Sequence, residues 1–143
     1  MTGIVVVSHS RPLARAAVDL VVGLVPGLSV PLEVAAGVPE VRGWGLGTDA
    51  IEITRAIERA DDGQGVLVLA DLGSGVMSAE TALELLDPGL AARVRLSPAA
   101  LVEGLVAAYA VAGTGGDLEA VALQAEQAAT AKTLRAEIGR AHV

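Results

Sequence analysis

The chain has 143 residues, with 17 Asp and Glu against 10 Lys and Arg, two His and no Cys. That length suits one domain, residues 1–143, whose core needs no disulfide or metal staple. A formal charge of −7 argues against a nucleic-acid partner, because phosphate backbones need clustered Lys and Arg, and the missing Cys removes disulfides, thiolate nucleophiles and Cys-ligated metals.

Hydrophobic residues make up 52% of the chain but aromatics only 1%, with no Phe, so the core is expected to be aliphatic. The start, "MTGIVVV", has no basic region, and its apolar run stops after Val7. It is too short for a signal peptide or a membrane span, so a soluble, cytoplasmic protein is expected. "GIVVV" reads as a central parallel strand buried on both faces. Beyond it, Leu13, Ala16, Ala17, Leu20, Val21 and Leu24 recur at helical spacing, with Pro12 tolerated in the first turn. "SVPLEVAA" alternates, and Pro31 within it assigns this second strand to the sheet edge. The stretch from Gly37 to Gly47 reads as a loop. Thr48 is expected to cap a helix running to about Ala60, with Asp49 and Glu52 in its first turn.

Gly65 to Ala70 is the clearest buried strand, and "DLGSG" after it reads as a turn. A helix is expected from about Ser78 to Leu86, stopped by "DPG", then a short strand in "RVRL" and a helix in "PAALVEGLVAAYAVAG". One long last helix is expected, capped by Asp117 and closed by Gly139. Strands alternating with helices predict an α/β fold: a single doubly wound open sheet, mainly parallel, with helices on both faces. Right-handed crossovers with the second strand at the edge give the order 2-1-3-4.

That order makes a topological switch point between the first and third strands, where ligand chemistry in open α/β sheets gathers at the carboxyl ends. The residues at those ends are His9 and Asp71. A neutral imidazole can attack phosphorus with one ring nitrogen while the other is held by a partner. If Asp71 accepts the Nδ1–H of His9, Nε2 is left free and the carboxylate offsets the charge that builds on the ring. A transferring phosphoryl group also needs preorganised donors. Ser10 and the first N–H groups of the first helix are candidates, as are Gly73, Ser74 and Gly75, with Arg11 as the nearby cation. An isolated His after a strand is more often structural, and Asp before Gly is often a turn-former; their joint position at the switch point favours chemistry. "DLGSG" matches neither the Walker A nor the dinucleotide fingerprint, which weakens a nucleotide-binding reading. Thr48 and Asp49 read as a plain cap, Trp44 as a loop anchor or partner contact, and His142 is given no role.

Taken together, "IVVVSHS", "GTDAIEITRAI", "VLVLADLGSGVMSAETALELL" and "VRLSPAALVEG" resemble the DhaM family. These are the phosphotransferase subunits of phosphoenolpyruvate-dependent dihydroxyacetone kinase, whose domain is similar to the enzyme IIA domain of mannose-type sugar phosphotransferase systems. The likeness runs from about Ile4 to Gly104. It implies that His9 carries a phosphoryl group on Nε2 and that Asp71 supports it. It further implies a histidine-containing phosphocarrier protein as donor, ADP held in the DhaL subunit as acceptor, and dihydroxyacetone held by DhaK as the final substrate. A homodimer is implied as well, and no cofactor or metal is expected. The 37–47 stretch departs from the family pattern, and since the sequence stops at Val143 the phosphoryl group is expected from a separate protein. Two alternatives stay open: a mannose-type enzyme IIA feeding a sugar permease, and a regulatory module in which His9 is a switch.

Overall fold

The computed structural model describes residues 1–141; His142 lies outside them. β1 (Gly3–Ser8) is buried along its whole length. It leads into α1 (Arg11–Leu24), then β2 (Leu32–Ala36), a short pair β3 (Val38–Glu40) and β4 (Gly43–Gly45), and α2 (Ala50–Ala60). β5 (Val66–Ala70) follows, then α3 (Gly73–Leu85), α4 (Pro88–Ala91), β6 (Val94–Leu96), α5 (Leu101–Gly113), α6 (Leu118–Gln127) and α7 (Thr130–Ala141). The main sheet runs β2-β1-β5-β6 with every ladder parallel, which is the expected 2-1-3-4 order of its four strands. Pro31 stands just outside β2, where its carbonyl accepts from the Ile4 N–H at 2.8 Å and its missing donor costs no ladder bond.

Successive side chains of a strand point to opposite faces, and this divides the core. Ile4, Val6, Leu67 and Leu69 meet α1, α5 and α6 through Ala14, Ala17, Val21, Leu105, Ala108 and Val121. Val5, Val7, Val66 and Val68 meet α2 and α3 through Ile53, Ala56, Ile57, Ala79 and Ala82. Each fully buried Val, Ile or Leu contributes about 1.5–3 kcal/mol, and the many alanines let the helices lie close to the sheet.

Five expectations are corrected. In α1 the buried face is Ala14, Ala17 and Val21, while Leu13, Leu20 and Leu24 are exposed; small side chains face the sheet, and the leucines are left outside. Residues 37–47 form a β-hairpin rather than a loop, its two-residue turn relaxed by Gly43 at φ 85°. The cap of α2 is Asp49, whose side chain accepts from the Ile51 N–H at 2.9 Å, because the Thr48 hydroxyl is bonded to Ser78 at 2.6 Å. α3 begins at Gly73, five residues before the expected start, so "DLGSG" is a helix entrance. The long last helix is two, broken between Gln127 and Thr130, and Gly139 lies inside α7 rather than ending it.

Candidate functional site

Val7 of β1 and Ala70 of β5 are register partners, and adjacent strands lie about 4.8 Å apart. The residues just past this pair therefore emerge side by side. The Asp71 N–H donates to the Val7 carbonyl at 3.1 Å, which turns the carboxylate toward the end of β1. Its Oδ1 lies 2.9 Å from His9 Nδ1, and its Oδ2 accepts from the His9 backbone N–H at 3.0 Å. Ser8, fully buried at the end of an otherwise apolar strand, sits with its Oγ 2.9 Å from Oδ2 and accepts from the Ser10 N–H at 3.0 Å. Its one hydroxyl hydrogen is drawn to the anionic oxygen in preference to the neutral Ser10 carbonyl 3.0 Å away.

Burial raises the Asp71 carboxyl, but the His9 backbone N–H, the His9 ring and the Ser8 hydroxyl outweigh it and hold the group below its ordinary value. An ionised Asp71 accepts only, so Nδ1 donates, and in the neutral ring Nε2 carries the lone pair. That lone pair is not bare as the sequence reading expected: the Ser74 hydroxyl lies 2.8 Å from Nε2 and donates to it. Asp71, His9 and Ser74 thus form one hydrogen-bonded line from β5 across the end of β1 to α3. The His9 side chain remains 25% exposed and that of Asp71 11%, so the carboxylate is sheltered while the ring stays within reach.

The predicted donors fall into two groups. Ser10 caps α1: its Oγ accepts from the Leu13 N–H at 3.3 Å, and its N–H is held by Ser8, so its backbone donor is engaged and its side-chain oxygen accepts within the helix start. At α3 the cap residue is Leu72, which supplies no side-chain bond, and among the described residues the N–H groups of Gly73 and Ser74 donate to nothing. The Gly75 N–H is already bonded to the Leu72 carbonyl at 3.0 Å. Its glycine serves close packing instead, since a Cβ there would sit 3.2 Å from Ala70 Cβ and 3.5 Å from Asp71 Oδ1.

Arg11 is beside the site but turned toward the hairpin. Its Nε donates to the Ala36 carbonyl at 3.2 Å, and its guanidinium lies 3.5 Å from the ring centroid of Trp44. The hairpin is anchored at both ends to the His9 segment: Gly37 N–H donates to the Ser8 carbonyl at 3.1 Å, and Gly47 N–H to the His9 carbonyl at 2.9 Å. Sequence reasoning missed Ser8, whose signal was a polar residue closing a buried strand. Among the described residues no group of three His, Asp or Glu is gathered as a metal ion would need, and no helix is long and apolar enough to cross a membrane.

The chain is 42% identical over 132 residues to the phosphoryl donor subunit DhaM of the PEP-dependent dihydroxyacetone kinase of Escherichia coli, a match covering 92% of this chain. The corresponding subunit of Pantoea ananatis is 42% identical over 139 residues. The chain spans only 28% and 29% of the lengths of these two relatives. A DhaM subunit of a second such kinase from Listeria innocua is 36% identical over 104 residues, covering 73% of this chain and 80% of that protein. Among solved structures, a crystal structure described as that of the unknown function protein EF1359 superposes with a TM-score of 0.73 at 30% identity, covering 89% of this chain and 94% of the other. A family model, EIIA-man, described as the PTS system fructose IIA component, matches residues 3–122, the span that holds the sheet, His9, Asp71 and Ser74. The chain belongs to the EIIA-man family.

Proposed function

We propose that this domain is a phosphohistidine carrier of a dihydroxyacetone kinase system. It takes a phosphoryl group from a histidine-containing phosphocarrier protein onto His9 and passes it to ADP held by a DhaL subunit that works with DhaK. The observation that carries the reading is the line Asp71–His9–Ser74, with Nδ1 2.9 Å from the carboxylate and Nε2 2.8 Å from a hydroxyl. The names of the curated relatives support the kinase system as the destination.

In the forward step the Ser74 hydroxyl rotates off Nε2, and the Nε2 lone pair attacks phosphorus in line with the donor's P–N bond. As the new N–P bond forms the old one breaks, and its electron pair returns to the donor's ring nitrogen. The His9 ring gains positive charge with Nδ1–H in place, and Asp71 balances that charge without taking the proton. The Ser74 hydroxyl and the open N–H groups of Gly73 and Ser74 then donate to phosphoryl oxygens, reinforced by the positive end of the α3 dipole. In the return step an ADP β-phosphate oxygen attacks, and the N–P electron pair goes back to Nε2. Ser10 acts by fixing the start of α1, and Gly75 by keeping α3 close to Asp71. Arg11 serves this site through the hairpin and Trp44.

We also propose that the domain works as a homodimer; the exposed Leu20 and Leu24 of α1 with Val102 of α5 give it an apolar face outside the carrier site. Incubation with phosphoenolpyruvate, enzyme I and the phosphocarrier protein, followed by intact mass and acid treatment, tests the carrier reading. One acid-labile phosphoryl group is expected, absent from His9→Ala; label that survives the substitution, or never forms, refutes it.

A further inference from the structure

Resting on the phosphohistidine reading, we infer that Thr48 and Ser78 are positioning residues for phosphoryl transfer: as a hydroxyl pair they clamp the first turn of α3 and so hold Ser74 at hydrogen-bond distance from Nε2. The Thr48 and Ser78 hydroxyls are 2.6 Å apart, and Ser78 Oγ lies 3.3 Å from the Ser74 carbonyl. Each hydroxyl has one hydrogen to give. Ser78 gives its own to that carbonyl, so Thr48 donates to Ser78 Oγ. The residue before Thr48 holds the other side of the site, because the Gly47 N–H donates to the His9 carbonyl at 2.9 Å. With the Ser74 hydroxyl 2.8 Å from Nε2, these bonds close a ring that runs from His9 through Gly47, Thr48, Ser78 and Ser74 back to His9. One dipeptide at the end of the hairpin thus grips both the reacting segment and the helix that serves it.

The first turn of α3 needs such a tie. Leu72 gives it no side-chain cap, and Gly73 and Gly75 bring the freest backbone of any residue. Apart from chain neighbours and its own helix, nothing stands within 4 Å of where a Gly73 Cβ would be. Gly75 lets α3 approach the sheet but has no side chain with which to grip it. The packing that joins α3 to α2, Ala79 and Ala82 against Ile53, Ala56 and Ile57, lies beyond Ser78. A helix pinned only there can pivot at its open end, and a misplacement of about 1 Å in a group aimed at the reacting atoms costs up to roughly a hundredfold in rate. Ser74 serves Nε2 before transfer and the phosphoryl oxygens during it, so its backbone is the part that must stay fixed. Thr54 offers an internal comparison. Its hydroxyl also spans α2 and α3, donating to the Ala50 carbonyl at 2.9 Å with the Ala82 carbonyl 3.5 Å away, but it sits about two turns beyond Ser74.

Thr48→Val and Ser78→Ala remove the clamp, Thr48→Ser keeps its hydroxyl, and Thr54→Val removes the comparison bond. Each variant is loaded from the phosphorylated carrier protein in a rapid-quench assay, its urea midpoint is measured, and its His9 Nε2 resonance is recorded by ¹⁵N NMR with no donor present. The transfer rate at saturating carrier protein is expected to fall about tenfold in Thr48→Val and in Ser78→Ala, with half-saturation within about twofold of wild type. The double variant should fall no further, since the two hydroxyls act as one unit. In both single variants the Nε2 resonance should move toward its position in Ser74→Ala, because its donor is drawn away. Thr48→Ser should match wild type, and Thr54→Val should keep the wild-type rate and resonance whatever it loses in urea midpoint. An unchanged rate or an unchanged resonance in either clamp variant, an equal fall in rate in Thr54→Val, or rates that simply follow the urea midpoints overturns the clamp. If wild type takes up no phosphoryl group on His9, the carrier reading fails instead, and the Nε2 resonance by itself decides the clamp.

Discussion

Two helices start beside His9, and they are finished differently. α1 is nearly closed: Ser10 supplies its side chain to the Leu13 N–H, Pro12 has no N–H to offer, and the Ser10 N–H is bound to Ser8, which leaves the Arg11 N–H as its one open donor among the described residues. α3 is left open, with Leu72 at the cap position and free N–H groups at Gly73 and Ser74. Residue types explain the contrast, since serine satisfies a helix start internally and leucine does not. The difference teaches that a helix beginning at an active edge can either hold a residue in place or remain available to a ligand. Here α1 does the first, and α3 is where the proposal puts the phosphoryl oxygens.

Substitutions that separate transfer from stability would break or sharpen this contrast. His9→Ala is expected to abolish phosphoryl incorporation outright, read by intact mass. Asp71→Asn keeps the shape but removes the charge that fixes the ring, and transfer should fall by about a hundredfold or more in a rapid-quench assay. Ser74→Ala is expected to slow transfer by roughly ten- to a hundredfold through loss of one oxyanion donor, while the midpoint of urea unfolding stays near wild type because Ser74 is exposed. Ser10→Ala should show the converse, losing about 1 kcal/mol in urea unfolding with transfer nearly unchanged. If Ser10→Ala slowed transfer more than Ser74→Ala, the division between the two helices would be reversed.

A smaller effect comes from pH. The Asp71 carboxyl lies below its ordinary value near 3.8, because hydrogen bonds from His9 and Ser8 outweigh the opposing effect of burial. A depressed carboxyl binds fewer protons in the folded than in the unfolded chain. Its stabilising contribution is therefore fully present above the unfolded value and is lost as pH falls through the folded one. Urea unfolding measured between neutral pH and the acid range should show wild type losing this component only below about pH 4, and Asp71→Asn should lack it.

What the sequence made legible follows from which signals are local. The runs around Val5 and Val68 define two buried parallel strands, and Pro31 marks the edge; from these alone His9 and Asp71 fall together. The face of α1 was ambiguous because Leu13, Leu20 and Leu24 share helical spacing with the residues beside them, and only packing against the sheet selects Ala14, Ala17 and Val21. The hairpin was hidden because Pro39 and the glycines around Trp44 weaken strand propensity, while the bonds that fix it come from Ser8 and His9, far away in sequence. The entrance of α3 was hidden for a related reason. Gly73 and Gly75 are poor helix formers, yet Gly75 is needed where α3 approaches Ala70. Nothing local marks the break between α6 and α7, where no Gly or Pro stands. Nor does any local pattern pair Ser74 with Nε2, since that contact depends on where α3 begins.

The central claim is that His9 is held through Nδ1 by Asp71 and reacts through Nε2. Long-range ¹H–¹⁵N correlation spectra of the protein before and after enzymatic phosphorylation, with the ¹⁵N–³¹P coupling resolved, test it directly. The account predicts an Nδ1-protonated ring beforehand and phosphorus coupled to Nε2 of His9 afterwards; phosphorus on Nδ1, or on any other residue, contradicts it.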